Sequence, residues 1–196
     1  QPDSVRGMLF GLCNVLEWKK NLDGRCCWVT KLLRPAEGEQ LVAYTDGSFK
    51  DGIYVYAFTL NVQEGSSLIP VFISVGECTI FSGHNNVSCE LEACYRAVQT
   101  AQKLGAKCVS VYTDFHGCFK FLTHEWGVRN KQFLMYVNLM SGLSIPFTIQ
   151  YVPAHRGFKG NNEVDRLAKR EANRLLEESS KNAQAFAEKI IDALTV

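Results

Sequence analysis

A change of hydrophobic period after Phe81 limits the possible folds more than any other feature of the chain. Before it, residues 41–46 (LVAYTD), 53–62 (IYVYAFTLNV) and 68–76 (LIPVFISVG) are rich in β-branched and aromatic residues, with Gly, Ser and Asp between them. That composition predicts an antiparallel meander, with Asp51-Gly52 as its first turn and the third strand continuing through Cys78 to Phe81 over a bulge. After it, Leu91, Cys94, Val98 and Ala101 recur at helical spacing up to a stop near Gly105. Residues 107–113 (KCVSVYT) and 145–152 (IPFTIQYV) then read as strands, separated by a helical stretch through Phe119 and Leu122 and a second helix over 130–142. Helices between strands imply crossover connections, hence parallel pairing and a layered α/β domain.

A chain of 196 residues accommodates one well-buried domain with appendages. The expected division is an N-terminal extension, or the end of a preceding domain, over 1–40, a main domain over 41–178 and an amphipathic helix over 179–196. The first 34 residues read as a helix followed by a short strand, with the boundary near Pro35 to Gly38. Asn161 or Asn162 is placed to cap a helix that carries Val164, Leu167, Ala168, Leu175 and Leu176 on one side. Beyond it, Ala183, Phe186, Ala187, Ile190, Ile191 and Leu194 form a stripe suited to docking. Segments 1–34 and 181–196 are therefore the expected contacts for a neighbouring domain of a parent polypeptide or for a protein partner. The chain starts at Gln1 without an initiator methionine, as an excised domain or processed product does.

The formal net charge of +1 excludes a polycation that coats nucleic acid indiscriminately, so any such contact must come from local patches. Arg156, Lys159, Arg166, Lys169, Arg170 and Arg174 form the best patch, and they read equally as a solvated helix face. Eight cysteines without a secretory leader or a small disulfide scaffold predict reduced thiols in an intracellular, reducing compartment. His116, Cys118 and His124 match no common zinc spacing. No apolar run approaches the roughly 20 residues that cross a bilayer, so no membrane contact is expected.

Four acids stand out by context. Asp46 and Asp114 each close a hydrophobic strand run, while Glu90 and Asp165 fall in the opening turns of predicted helices. An acid at the inner end of a buried strand is costly unless a cation or hydrogen bonds compensate it. Two magnesium ions, which take hard oxygen ligands and retain water and phosphate, would compensate several acids at once. Asp165 also has a purely structural reading, as a negative charge near a helix N-terminus. Glu92 rivals Glu90, but two positions along a helix turn a side chain through about 200°, so the two must point differently.

The segment YVPAHRGFKGNNEVDRLAKREA, together with AYTDGS, NNVSCELEA and VYTD in the same order, resembles type 1 ribonuclease H over roughly residues 41–175. The resemblance implies a mixed five-stranded sheet with helices on both faces. It also implies an endonuclease that hydrolyses the RNA strand of RNA–DNA hybrids, leaving 5′-phosphate and 3′-hydroxyl ends. Asp46, Glu90, Asp114 and Asp165 match the family's acids for two Mg2+ ions, with Mn2+ able to substitute, and His155 matches its loop histidine. Asn86, Ser88 and His116 fall at expected substrate contacts, with Arg156 and Lys159 as phosphate contacts. Asn85, Asn86 and Ser88 also read as helix-capping residues, and His116 as a partly buried histidine. Residues 115–144 are too short for the basic, Trp-rich protrusion of some members, and no hybrid-binding module precedes residue 41, which points to another domain for affinity. Two alternatives remain open: a DNA or RNA nuclease or strand-transferase of related fold, and a non-cleaving interaction module.

Overall fold

The computed structural model describes residues 16–20, 26–30, 36–153 and 159–194. Its centre is the expected meander: β3 (Gln40–Lys50), β4 (Ile53–Glu64) and β5 (Ser67–Glu77) pair antiparallel. Asp51 and Gly52, both at positive φ, turn β3 into β4, as the sequence predicts for a tight hairpin. A bulge exists, but between Leu60 and Asn61, where Asn61 faces Pro70 and the ladder loses an amide donor. The third strand stops at Glu77; the Cys78 amide still donates to the Tyr54 carbonyl of β4, and Thr79–Phe81 leaves the sheet because a side chain on the following helix takes its amides, as shown below.

Two parallel strands complete the main sheet. β6 (Cys108–Thr113) lies beside β3 and β7 (Phe147–Tyr151) beside β6, giving a mixed five-stranded sheet in the order β5-β4-β3-β6-β7. Beyond β5 the sheet continues into β2 (Cys26–Thr30) and then β1 (Leu16–Lys20), both antiparallel. The apolar positions through Trp18 suggested a helix. Leu16–Lys20 is instead a strand, paired with a β2 that itself caps the open edge of β5. The earlier apolar positions of that expected helix, Met8 to Val15, lie outside the described residues.

Helices cover both faces, and β4 shows why. Its side chains alternate, with Tyr56, Phe58, Leu60 and Val62 in the larger core under α1 (Asn86–Lys103) and Val55 and Ala57 in a smaller core. That second core is closed by Val164, Leu167, Ala168 and Ala172 of α4 (Lys159–Leu194). Short α2 (Gly117–Lys120) and α3 (Lys131–Ser141) join β6 to β7, and Asn130 caps α3 by accepting the Gln132 amide at 2.8 Å.

The last helix departs from expectation at both ends. Its described part starts at Lys159, so Asn161 and Asn162 lie inside the helix rather than capping it, and Asp165 follows further along it. It then continues through Glu177–Ser180 without a break, since nothing there is Gly or Pro. Residues 181–191 are all exposed, with Phe186 at 66%. Burying such a side chain is worth roughly 1.5–3 kcal/mol, so this part of the helix draws little stability from the domain. Among the described residues, no helix is long and apolar enough to cross a membrane.

Candidate active site

The parallel pairing of β3 with β6 sets the first two acids. The last paired residues are Tyr44 and Tyr112, and the same register, followed two residues further, brings Asp46 level with Asp114. Asp46 also pairs with Ala57, whose side chain belongs to the α4 side, so its carboxylate shares that side. Two glycines then admit the helices. A Cβ on Gly47 would overlap Cys89, so glycine lets α1 approach close enough for Glu90 to reach Asp46. A Cβ on Gly160 would overlap the Tyr44 ring, so glycine seats the start of α4 beside the same strand.

Asp46, Glu90 and Asp114 each offer an oxygen within 4.8 Å of the others. Asp46 and Glu90 are buried and Asp114 is half-buried. Burial pushes the Asp46 carboxyl up to about 7; the charges of Asp114 and Asp165 act in the same direction, while hydrogen bonds from Glu90 and the Gly47 amide oppose them. Burial, then Asp46 and Asp114, hold the Glu90 carboxyl well above the usual carboxylate range. The pair therefore retains a proton near neutral pH. Glu90 Oε2 is buried with no hydrogen-bond partner. A buried oxygen without a donor, facing two further carboxylates, fits a divalent cation: hard oxygen ligands, net negative charge and an unfilled position.

Asp165 stands outside this group of three. It is half-buried and pairs with Lys169, with contacts of 2.7 and 2.9 Å, yet lies near enough for its charge to act on Asp46. Glu92 points away, as helix rotation requires. It is fully buried, accepts the amides of Thr79, Ile80 and Phe81 at 2.9, 2.9 and 3.0 Å, and binds Arg96 at 2.8 Å. That carboxylate is satisfied and serves the fold.

The remaining sequence candidates occupy varied positions. Asn86 is exposed, and its Oδ1 accepts the Phe49 amide at 2.8 Å, tying the start of α1 to β3. Ser88 is buried and its Oγ accepts the His84 amide at 3.2 Å. Asn85 stands at the N-cap position without a side-chain capping bond. His116 is exposed and stacks on Tyr151, and Lys159 is exposed at the start of α4. His155 and Arg156 lie outside the described residues. Within the basic patch, Lys169 pairs with Asp165, and Arg174 with Glu171 and Glu178, so much of that charge is spent within the helix. Among the described residues, His116, Cys118 and His124 do not assemble as a metal-binding group.

Two contacts escaped the sequence reading. Asn161 is buried, and its Nδ2 donates to Asp114 Oδ2 at 3.3 Å while its Oδ1 has no partner. Tyr151 forms the other, through its stack on His116. Neither residue type carries a local signal, because each acquires its neighbour only when β6, β7 and α4 come together.

The RNase H family model matches residues 38–173, which is most of the chain and all of the sheet from β3 to β7. The chain belongs to the RNase H family. Its fold is similar to the N-terminal RNase H domain of a Mycobacterium tuberculosis protein, with TM-score 0.58 and 19% identity over 72% of this chain and 99% of that one. It is likewise similar to RNase H1 from the halophilic archaeon Halobacterium salinarum, with TM-score 0.52 and 20% identity over 69% of this chain and 98% of that one. A third likeness is to LC11-RNase H1, solved in complex with an RNA/DNA hybrid, with TM-score 0.56 and 16% identity over 69% of this chain and 99% of that one. Comparison with curated proteins gives no match. At these identities the structural likeness is one of fold, and the fold is that of a nucleic-acid-binding nuclease family. Within it, the acidic triad of Asp46, Glu90 and Asp114 suggests a nuclease.

Proposed function

We propose that the chain hydrolyses the RNA strand of RNA–DNA hybrids as a divalent-metal-dependent endonuclease, leaving 5′-phosphate and 3′-hydroxyl ends. The observation that carries this reading is the carboxylate triad, two of its members buried, with an unpartnered Glu90 oxygen inside an RNase H domain. Asp46, Glu90, Asp114 and Asp165 would hold two Mg2+ ions, or Mn2+ in their place. When bound, such ions supply Lewis-acid stabilisation of the phosphoryl oxygens and a water acidified towards hydroxide.

The chain's own groups position and desolvate. Asp46 and Glu90 are buried, so a bound cation would meet both as deprotonated carboxylates in surroundings of low water content. Asn161 holds Asp114 by its Oδ2. His155, which follows β7 and precedes α4 in the sequence, gives or takes a proton at the leaving 3′ oxygen or aids product departure. Asn86 and His116 face the minor groove, where an A-like duplex displays 2′-hydroxyls, and Ser88 supports the entry to α1 through its bond to His84. Lys159 and Arg156 contact phosphates, which makes binding salt-sensitive. The apolar stripe through Phe186, Ile190 and Ile191 offers a contact surface for a protein partner or a neighbouring domain.

One assay separates the readings. With Mg2+, labelled RNA–DNA hybrid, RNA duplex, DNA duplex and single strands are each incubated with the wild type, Asp46→Asn and Asp114→Asn. Cleavage of RNA in hybrid alone, lost in both variants, is expected. Cutting of DNA would replace the proposal with a related nuclease or strand-transferase, and tight binding without cutting would replace it with an interaction module.

A further inference from the structure

His116 and Tyr151 form a parallel stack on the surface, with ring centroids 3.6 Å apart and planes inclined by 14°. Neither ring belongs to the two hydrophobic cores, and Tyr151 is 39% exposed, so core packing does not account for the pair. His116 lies two residues after Asp114, and its carbonyl accepts the Phe119 and Lys120 amides at 3.3 and 3.1 Å, which fixes its backbone at the N-cap of α2. The edge of Phe119 meets the imidazole at 6.0 Å and 67°. Tyr151 ends β7, where the Val152 amide donates to the Thr113 carbonyl at 2.9 Å, directly before Asp114. Both rings are thus hung from backbone beside an acid of the triad, one ring face covers the other, and His116 remains exposed.

That arrangement suits a specific task. Imidazole carries two ring nitrogens able to donate or accept, but a surface histidine normally samples several rotamers. A ring already held by stacking loses less freedom on binding, so its nitrogens meet a hydroxyl at a fixed place. An A-like duplex offers such hydroxyls along a wide, shallow groove, and they are the groups that distinguish RNA from DNA.

We propose that Tyr151 is a positioning residue for substrate recognition: its ring holds the His116 imidazole so that the ring edge meets the ribose 2′-hydroxyls of the RNA strand beside Asp114. The inference rests on the hybrid-cleaving function proposed above. Tyr151 touches no reacting atom and acts through His116.

The test is a double-mutant cycle in steady-state hybrid cleavage, with Tyr151→Leu, Tyr151→Phe, His116→Ala and the Tyr151→Leu/His116→Ala pair. Tyr151→Leu keeps apolar bulk on an edge strand and removes only the ring face. It should raise KM about tenfold with kcat within about twofold, and Tyr151→Phe should restore KM to within about twofold of the wild type. His116→Ala should match Tyr151→Leu, and the pair should be no worse than either single variant. A hybrid carrying one 2′-deoxyribose at each successive position should show one position at which the wild type is weakened and both single variants are indifferent. Multiplying effects in the pair, a loss confined to kcat, or a Tyr151→Phe variant as poor as Tyr151→Leu would each overturn the inference while leaving the nuclease intact. A wild type that neither binds nor cuts hybrid would overturn the function and the inference with it.

Discussion

Glu90 and Glu92 sit two residues apart on α1, and both are buried, yet their surroundings are opposite. Around Glu92, three loop amides and Arg96 converge on the carboxylate and fasten Thr79–Phe81 to the helix. Around Glu90, the neighbours are Asp46 and Asp114, and one oxygen has no partner at all. The Glu92 end has the pattern of a finished structural network, in which every lone pair is answered. The Glu90 end has that of a site left incomplete until something cationic joins it. Burial alone does not tell the two apart; the donors do.

The contrast can be broken first at the level of activity. Asp46→Asn or Glu90→Gln should lower kcat on RNA–DNA hybrid by at least about 1,000-fold, because each removes a carboxylate that would hold the catalytic cations. Steady-state cleavage in Mg2+ measures this, and a loss of under about tenfold would move the chemistry elsewhere.

On the Glu92 side the effect should fall on stability. Glu92→Ala leaves the amides of Thr79, Ile80 and Phe81 without their acceptor and strips Arg96 of its carboxylate partner, which should cost roughly 3–5 kcal/mol in urea unfolding. In the fraction that remains folded, kcat should stay within about threefold of the wild type.

pH separates the two ends more finely. Asp46 has a folded-state pKa of about 7, above its value of 3.8 when unperturbed, so the folded protein binds the extra proton between those values. The contribution of this group to the stability of the metal-free protein is then fully present below about pH 3.8 and is lost as pH rises through 7, on the order of 4 kcal/mol in all. The raised Glu90 pKa acts with the same sign. Urea titrations in chelator across this range should show the decline in the wild type and a shallower one in Asp46→Asn. Saturating Mg2+ should offset it in the wild type alone.

The smallest effect is expected at Asn161. Removing its amide with Asn161→Ala frees Asp114 without removing a carboxylate, so kcat should fall about tenfold while stability changes by roughly 1 kcal/mol or less. Unchanged kcat would assign the Asn161 contact to packing.

Sequence patterns exposed some of this and hid the rest, for physical reasons. Asp46 and Asp114 were legible because each ends a hydrophobic run, and Glu90 was separable from Glu92 by helical rotation and by the resemblance. Asp51-Gly52 announced its hairpin. Asn161 was misread as a cap because the start of α4 is set by the seating of Gly160 on Tyr44, a contact between residues far apart in sequence. Leu16–Lys20 was misread as helix because a short apolar run fits both periods, and the unpaired edge beside it decided the outcome. The Cys78–Phe81 segment has strand composition, but the Glu92 carboxylate takes the amides of Thr79, Ile80 and Phe81.

The sharpest measurement is Mn2+ binding, followed by the loss of the free-ion paramagnetic resonance signal, in the wild type, Glu90→Gln and Glu92→Gln at pH 8. If one face of α1 completes a metal site and the other completes the fold, the wild type and folded Glu92→Gln bind alike, and Glu90→Gln binds at least about tenfold more weakly. Equal binding by Glu90→Gln and the wild type would contradict that division.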